Sequence, residues 1–241
     1  MVKWFSAAAE QEDAYSQYVL GNLYQNGVGV EEDIAKAIWL YTKSAEQGNV
    51  EAQRDLAYCW FNGIGVRQDY PQAIRWFTKA AEQNDGYSQN VLGMCYEHGW
   101  GVEQDIPQAV QLYTKAAHQG NAEGQYHLGL SYAMGMGIPQ DLQRANDWYK
   151  KAAQQGEVNA QRELAYCIFT GQGVERDLAQ AVKWFAAAAG QGDSYSQNAL
   201  GECYEHGWGV IKDLEQAVSW YRSSARQGGE YAIKALNRLG L

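Results

Sequence analysis

The chain has 241 residues, with 19 Lys and Arg against 28 Asp and Glu and a formal net charge of −9 at pH 7. This acidic balance argues against a binder of nucleic-acid phosphates or of anionic membrane surfaces, because both depend on clustered cations. Its hydrophobic content of 46% is that of a folded protein. No apolar run approaches the roughly 20 residues that cross a bilayer, so we expect no direct insertion into a membrane.

The first residues are predicted to be part of the folded repeats and not an export signal. The apolar stretch at 2–9 is too short for the core of a signal peptide, and it returns almost unchanged at 182–189. The chain therefore begins inside a repeating element, either as a piece of a longer array or because a signal has been removed. We expect a soluble protein of the cytoplasm or of a bacterial periplasm.

The main feature of the sequence is an internal period of 36 residues. Glutamine recurs at this spacing without a slip, at Gln17, Gln53, Gln89, Gln125, Gln161 and Gln197. Aspartate does the same, at Asp33, Asp69, Asp105, Asp141, Asp177 and Asp213. We predict one repeat domain over 1–241. Its parts are a half repeat at 1–13, full repeats at 14–49, 50–85, 86–121, 122–157, 158–193 and 194–229, and a half repeat at 230–241.

Each full repeat begins with a predicted amphipathic helix. In the first one, Gln17, Leu20 and Tyr24 have the i, i+3, i+7 spacing of a single helical face. The residue after the leucine, here Gly21, is glycine or alanine in every full repeat. Since a larger side chain there would hold a neighbouring helix away, this position predicts that two helices pack closely.

A second helix follows after a glycine turn. Gly27 and its equivalents are placed to end the first helix in the left-handed conformation, and Asp33 and its equivalents to cap the second. The second helix then packs through Ala37, Tyr41 and Ala45. The predicted repeat is therefore an antiparallel pair of helices.

The full pattern of the repeat is that of a known family. The third full repeat reads Gln89-x-x-Leu92-Gly93-x-x-Tyr96-x-x-Gly99-x-Gly101-Val102-x-x-Asp105. This pattern resembles the Sel-one-like repeat family, 36-residue relatives of tetratricopeptide repeats, over essentially the whole chain. The resemblance implies an all-α fold, a right-handed superhelical solenoid of antiparallel helix pairs. It also implies a non-catalytic scaffold for protein–protein interaction.

Residues that could carry chemistry recur with the repeat, which favours an architectural role. Cys59, Cys95, Cys167 and Cys203 share one position, and we interpret them as small buried hydrophobic residues and not as disulfides or nucleophiles. Two of them precede a histidine by three residues, but these pairs are 108 residues apart, too far in a stack of repeats for one zinc site. The Gly-x-Gly loops recur six times and lack a third glycine. We therefore predict no metal, no cofactor and no catalytic residue.

A second stripe of the first helices, about 130° from their packing face, carries the candidate binding residues. Because first helices line the inside of a tetratricopeptide-type superhelix, the resemblance places this stripe in a concave groove. Its residues differ between repeats, as recognition of a non-repeating ligand requires, and tyrosine and arginine dominate many interfaces. This first-helix stripe comprises Tyr15, Tyr18, Asn22, Arg54, Tyr58, Phe61, Tyr87, Asn90, Glu97, Tyr126, Arg162, Tyr166, Phe169, Tyr195, Asn198 and Glu205.

The stripe predicts a scaffold or adaptor that binds a peptide or protein segment in the groove. The alternative is an enzyme, or the substrate-recognition subunit of one, with a polar cluster there. Several of the tyrosines could instead pack between neighbouring first helices. Trp100 and Trp208, in the loops between helices, either anchor a partner or cover the edge of the next repeat. We also expect self-association through the terminal half repeats, and no nucleic-acid partner.

The chain also matches itself at a distance of three repeats. Residues 52–105 match 160–213 at 35 of 54 positions, and Arg54 corresponds to Arg162. Two similar contact sites would explain this match, but a recent duplication explains it without any function.

Overall fold

The computed structural model describes residues 2–241, which form fourteen α-helices and no strand. The helices are α1 (Val2–Glu10), α2 (Ala14–Gln25), α3 (Ile34–Glu46), α4 (Val50–Asn62), α5 (Tyr70–Glu82), α6 (Gly86–His98), α7 (Ile106–His118), α8 (Ala122–Met134), α9 (Leu142–Gln154), α10 (Val158–Thr170), α11 (Leu178–Gly190), α12 (Ser194–His206), α13 (Leu214–Arg226) and α14 (Glu230–Arg238). The even-numbered helices α2 to α12 are the first helices of the six full repeats, so the predicted all-α fold of helix pairs is confirmed.

The helices form two compact units, Met1–Gly124 and Gln125–Leu241. In the first unit, each helix from α1 to α7 packs against the next one along the chain, around a core that includes Tyr41 and Phe77. In the second unit, the helices from α9 to α14 pack in the same consecutive way, around Tyr149 and Phe185. Each unit therefore buries its apolar surface between neighbouring helices, as repeat proteins do.

Both helices of a repeat are capped by the predicted residues. The Asp33 carboxylate accepts the backbone N–H of Lys36 at 2.9 Å, at the start of α3. The same cap begins the other second helices, at Asp69, Asp105, Asp141, Asp177 and Asp213. Gly63 ends α4 with φ of 73°, a conformation that glycine adopts without strain. Helix α2 differs slightly, because it is capped at Asn26 and the left-handed residue, Gly27, follows the cap.

The small residue of the first helix makes the closest contact with the second. A Cβ atom at Gly93 would lie 2.5 Å from Cε1 of Tyr113, well inside van der Waals contact. The predicted close packing is thereby confirmed. The second full repeat instead has Ala57 and Phe77 at these two positions, and the fifth full repeat has Ala165 and Phe185. Glycine thus accompanies a buried tyrosine, whereas alanine accompanies a phenylalanine.

A pair of glutamines explains the recurring glutamine in five of the six full repeats. Nε2 of Gln53 donates to the carbonyl of Ala45 at 3.1 Å, at the end of the preceding second helix. Its Oε1 accepts from Nε2 of Gln83 at 2.8 Å, just after the second helix of its own repeat. Gln53 therefore ties its helix to both neighbours with a satisfied buried amide. The other pairs are Gln17–Gln47, Gln125–Gln155, Gln161–Gln191 and Gln197–Gln227.

Candidate partner-binding surface

In the first unit, an arginine and two carboxylates connect three successive first helices. Nε of Arg54, on α4, donates to Oδ1 of Asp55 at 3.0 Å, and its Nη1 lies 3.7 Å from Oδ1 of Asp85. Asp85 is the N-cap of α6 and accepts the N–H of Ser88 at 2.8 Å. The Tyr18 hydroxyl, on α2, donates to Oδ2 of Asp55 at 3.1 Å. These contacts hold the guanidinium in one orientation.

Two tyrosines lie beside this network. Tyr58 and Tyr87 line a shallow depression of about 320 Å³ together with Arg54 and Asp55. Tyr58 is 42% exposed. Burial, and after it the nearby carboxylate of Glu123, raises the pKa of Tyr87 to about 12, so its phenol stays protonated at neutral pH. We call Arg54, Asp55, Tyr58 and Tyr87 the first tyrosine–arginine site.

The second unit repeats this arrangement. Nε of Arg162 donates to Oε1 of Glu163 at 3.2 Å, and Nη1 donates to Oδ2 of Asp193, the N-cap of α12, at 3.0 Å. Tyr166 is 38% exposed and Tyr195 48% exposed. Arg162, Glu163, Tyr166 and Tyr195 form the second tyrosine–arginine site. The structure thus brings together, in each unit, the arginine and two tyrosines that the sequence predicts.

The other tyrosines of the first-helix stripe fall into two classes. Tyr18 and Tyr126 are half-buried, and their ring centroids lie 6.0 Å from those of Tyr41 and Tyr149. They pack between helices, as the sequence left open. Tyr15 is exposed on α2.

Two polar residues of the stripe lie next to buried tyrosine hydroxyls. The Tyr41 hydroxyl donates to Oδ1 of Asn22 at 2.6 Å, and the Tyr113 hydroxyl donates to Oε2 of Glu97 at 2.5 Å. These acceptors satisfy a hydroxyl that burial would otherwise leave without a partner. Asn22 and Glu97 therefore have a structural task on the same surface.

The structure corrects the prediction for two further residues. Asn90 is 0% exposed, and its amide donates to Oε2 of Glu123 at 3.0 Å. Glu205 is also buried, where it accepts from the Tyr221 hydroxyl and from Nη2 of Arg238, each at 2.7 Å. The prediction that these two side chains face a partner is wrong, because the helical direction of a residue does not reveal the neighbours that cover it.

The two phenylalanines of the stripe are covered by the loop tryptophans. The ring centroid of Phe61 lies 5.8 Å from that of Trp100, and the ring centroid of Phe169 lies 5.5 Å from that of Trp208. Each tryptophan therefore covers the preceding repeat, whereas the sequence led us to expect the next one. Trp208 remains 37% exposed, so a partner contact there stays a prediction. Both phenylalanines are half-buried under these contacts and contribute mainly to packing.

Sequence reasoning missed the acids that hold the arginines. Asp55 and Glu163 lie one position beyond the stripe, on the same helices as Arg54 and Arg162. A signal was present, because this position is acidic only in the two full repeats that carry the arginine. The pairing of an acid with the neighbouring arginine could have identified the networks.

The four cysteines are free and buried, as predicted. Burial raises the pKa of the Cys59, Cys95 and Cys167 thiols to about 11 and that of Cys203 to about 12. They therefore remain protonated and unreactive at neutral pH. Among residues 2–241, no three His, Cys, Asp or Glu side chains are grouped to hold a metal ion.

In the part of the chain that the structure describes, no helix combines the length and apolar character needed to cross a membrane. Trp4 of α1 and Tyr231 of α14 are largely exposed. Self-association through the half repeats stays a prediction.

Comparisons with known proteins agree on the fold. A family model of the Sel1 repeat matches residues 2–13, 14–49, 50–85, 86–121, 122–157, 158–193 and 194–229. A protective antigen of uropathogenic Escherichia coli that displays an SLR fold is 36% identical, with a TM-score of 0.89 over 96% of this chain and 50% of its own. This chain thus spans half the length of that antigen. A Sel1 repeat protein from Oxalobacter formigenes is 31% identical, with a TM-score of 0.81 over 89% of this chain and 86% of its own. No curated protein matches the sequence.

Proposed function

This chain belongs to the Sel1 repeat family, and from that premise we propose that it is a non-catalytic scaffold that binds a segment of a partner protein on its first helices. Proteins of this family are generally interaction scaffolds. The observation that carries the proposal is the tyrosine–arginine site, which is present once in each unit. Tyrosine and arginine contribute much of the binding energy in many interfaces.

The geometry of the sites supports this role. The guanidinium of Arg54 is fixed by two carboxylates, and that of Arg162 likewise. A group that is already ordered loses little conformational freedom when a partner binds. The phenol rings of Tyr58 and Tyr166 are exposed next to them. Each site therefore offers a rigid polar base and an accessible aromatic surface, which suits recognition of a polypeptide.

Site-directed photo-cross-linking tests where the partner binds. Benzoylphenylalanine is placed at Tyr58 or Tyr166, and at Trp39 as a control, because Trp39 is exposed on the second helix α3. We expect the same partner to be cross-linked from both tyrosine positions and not from Trp39. Cross-linking from Trp39 alone would place the partner on the second helices and contradict the proposal.

The affinity of the captured partner then tests the contribution of each site. Replacing Tyr58 or Tyr166 with alanine should weaken binding about fivefold or more each, a loss of about 1 kcal/mol or more that only a minority of interface residues reach. The double variant should lose far more than either single variant if one partner engages both sites. Trp39→Ala should leave the affinity unchanged. A double variant with wild-type affinity would overturn the proposed surface.

A further inference from the structure

Both tyrosine–arginine sites carry a surplus of negative charge. In the first, Arg54 faces the carboxylates of Asp55 and Asp85, which leaves one negative charge unbalanced. Glu123, whose carboxylate accepts from Asn90 at 3.0 Å, lies near Tyr87 and adds another. An entering group therefore meets a negative surface.

The second site also carries a surplus of negative charge. Arg162 faces Glu163 and Asp193. Glu202 lies near Tyr195, and its Oε1 accepts from Nδ2 of Asn198 at 3.0 Å. The two sites differ in the length of one acid, aspartate against glutamate, and yet keep the same balance of charges.

This balance disfavours an acidic ligand. The Nε and Nη1 groups of Arg54 already point at carboxylates, so a ligand carboxylate would be the third one around a single guanidinium. Repulsion between like charges a few ångströms apart opposes that arrangement. A cation instead meets the carboxylates and also the rings of Tyr58 and Tyr87, which line the same depression, and a ring quadrupole attracts cations. The chain uses this contact internally, since Nζ of Lys36 lies 4.2 Å from the ring centroid of Tyr24.

We infer that each tyrosine–arginine site receives the side chain of a lysine or arginine from a basic, extended segment of the partner. The inference rests on the proposed function and adds the chemical class of the ligand. The carboxylates attract the cation, and the exposed tyrosine ring covers its apolar stem. The ligand is thus opposite in charge to the chain as a whole.

Labelled peptides of one length test the inference. The probes are fluorescein-labelled (Gly-Lys)6, (Gly-Ser)6 and (Gly-Glu)6, and their binding to the full chain is measured by fluorescence anisotropy. We expect (Gly-Lys)6 to bind at least about tenfold more tightly than either other peptide. Tighter binding of (Gly-Ser)6 or (Gly-Glu)6 would overturn the inference.

Because an acidic protein attracts any polycation, variants that keep the charge must locate the binding. Tyr58→Ala combined with Tyr166→Ala should weaken (Gly-Lys)6 about fivefold or more, while the corresponding double phenylalanine variant keeps wild-type affinity because the rings remain. The matched control is Trp39→Ala with Trp4→Ala, two exposed aromatic residues of α3 and α1 that lie outside both sites. Equal weakening in the control, or none in the tyrosine variant, would overturn the inference.

The outcome for the natural partner separates this inference from the proposed function. If the cross-linked segment depends on Tyr58 and Tyr166 but is acidic or uncharged, the scaffold function stands and the inference falls. If partner binding does not depend on these tyrosines, the proposed function itself falls. Thermal melts followed by circular dichroism establish that each variant is folded before either conclusion is drawn.

Discussion

Replacing Gly93 with alanine tests the close packing of the two helices. Gly93 lies inside α6, and the new Cβ would meet Cε1 and Cδ1 of Tyr113 at 2.5 and 2.7 Å. The Tyr113 ring cannot easily withdraw, because it is buried and its hydroxyl is bonded to Glu97. Overpacking of this kind costs about 1–3 kcal/mol. Alanine offsets about 1 kcal/mol of this cost through its higher helix propensity, so we expect the free energy of unfolding to fall by up to about 2 kcal/mol.

A matched control isolates the packing effect from the helix effect. Gly190 is the last residue of α11, and a Cβ there would meet no atom within 4 Å. Gly190→Ala should therefore be neutral or stabilise the protein by up to about 1 kcal/mol. Urea unfolding followed by circular dichroism measures both variants. If Gly93→Ala proves as stable as Gly190→Ala, the contact with Tyr113 does not limit the packing and the reasoning is wrong.

The second full repeat supplies a compensating set of residues. There alanine packs with Phe77, and the ring of Phe61 lies 6.2 Å from that of Phe77 in an edge-on arrangement. Combining Gly93→Ala with Tyr113→Phe and Glu97→Phe transplants this set into the third full repeat. Because the three positions touch one another, we expect their effects to be non-additive. The triple variant should be more stable than the sum of its single variants predicts, and additive losses would contradict this coupling.

Three further outcomes follow from burial and charge. Leu128→Ala should lower the free energy of unfolding by about 2–5 kcal/mol because Leu128 is buried. Cys95→Ala should lower it by about 1 kcal/mol. Urea unfolding measures both variants. A reductant should leave the melting curve unchanged, because the thiols are free. Although burial raises the pKa of Glu205, hydrogen bonds from Arg238 and Tyr221 hold it below its ordinary value of 4.5. The stability that this carboxylate contributes is therefore present above that pH and lost as the pH falls through the lowered pKa. Glu205→Gln should flatten this part of a stability–pH profile, and an unchanged slope would refute the assignment.

Most of the fold could be predicted from the sequence because its determinants are local. The aspartate caps, the left-handed glycines and the small residue at Gly93 each depend on neighbours within one repeat, and 36-residue spacing made them visible. The paired glutamines also recur at this spacing. Their role was not predicted, since it depends on two residues 30 positions apart that meet only after the helices pack.

The candidate surface was predicted less well, for a physical reason. A helical wheel gives the direction in which a side chain points. It does not show whether a long side chain from another helix reaches that residue and covers it. Tyr113 and Tyr221 extend from second helices to Glu97 and Glu205 and occupy them. Asn90 is covered in a similar way by its surroundings. Of the described residues of the stripe, Tyr15, Tyr58, Tyr166 and Tyr195 remain exposed, and the last three lie beside an arginine.

The self-match at three repeats has two physical components. One is packing, because both copies replace the glycine–tyrosine contact by an alanine–phenylalanine contact, and this choice needs no ligand. The other is the ion pair, in which Arg54 and Arg162 meet an acid on their own helix and the N-cap aspartate of the next first helix. Packing alone does not require a charged group at this position, and the four other full repeats stack without an arginine there. The ion pairs are therefore the part of the duplication that packing leaves unexplained, and the tyrosines exposed beside them are where a partner should be sought first.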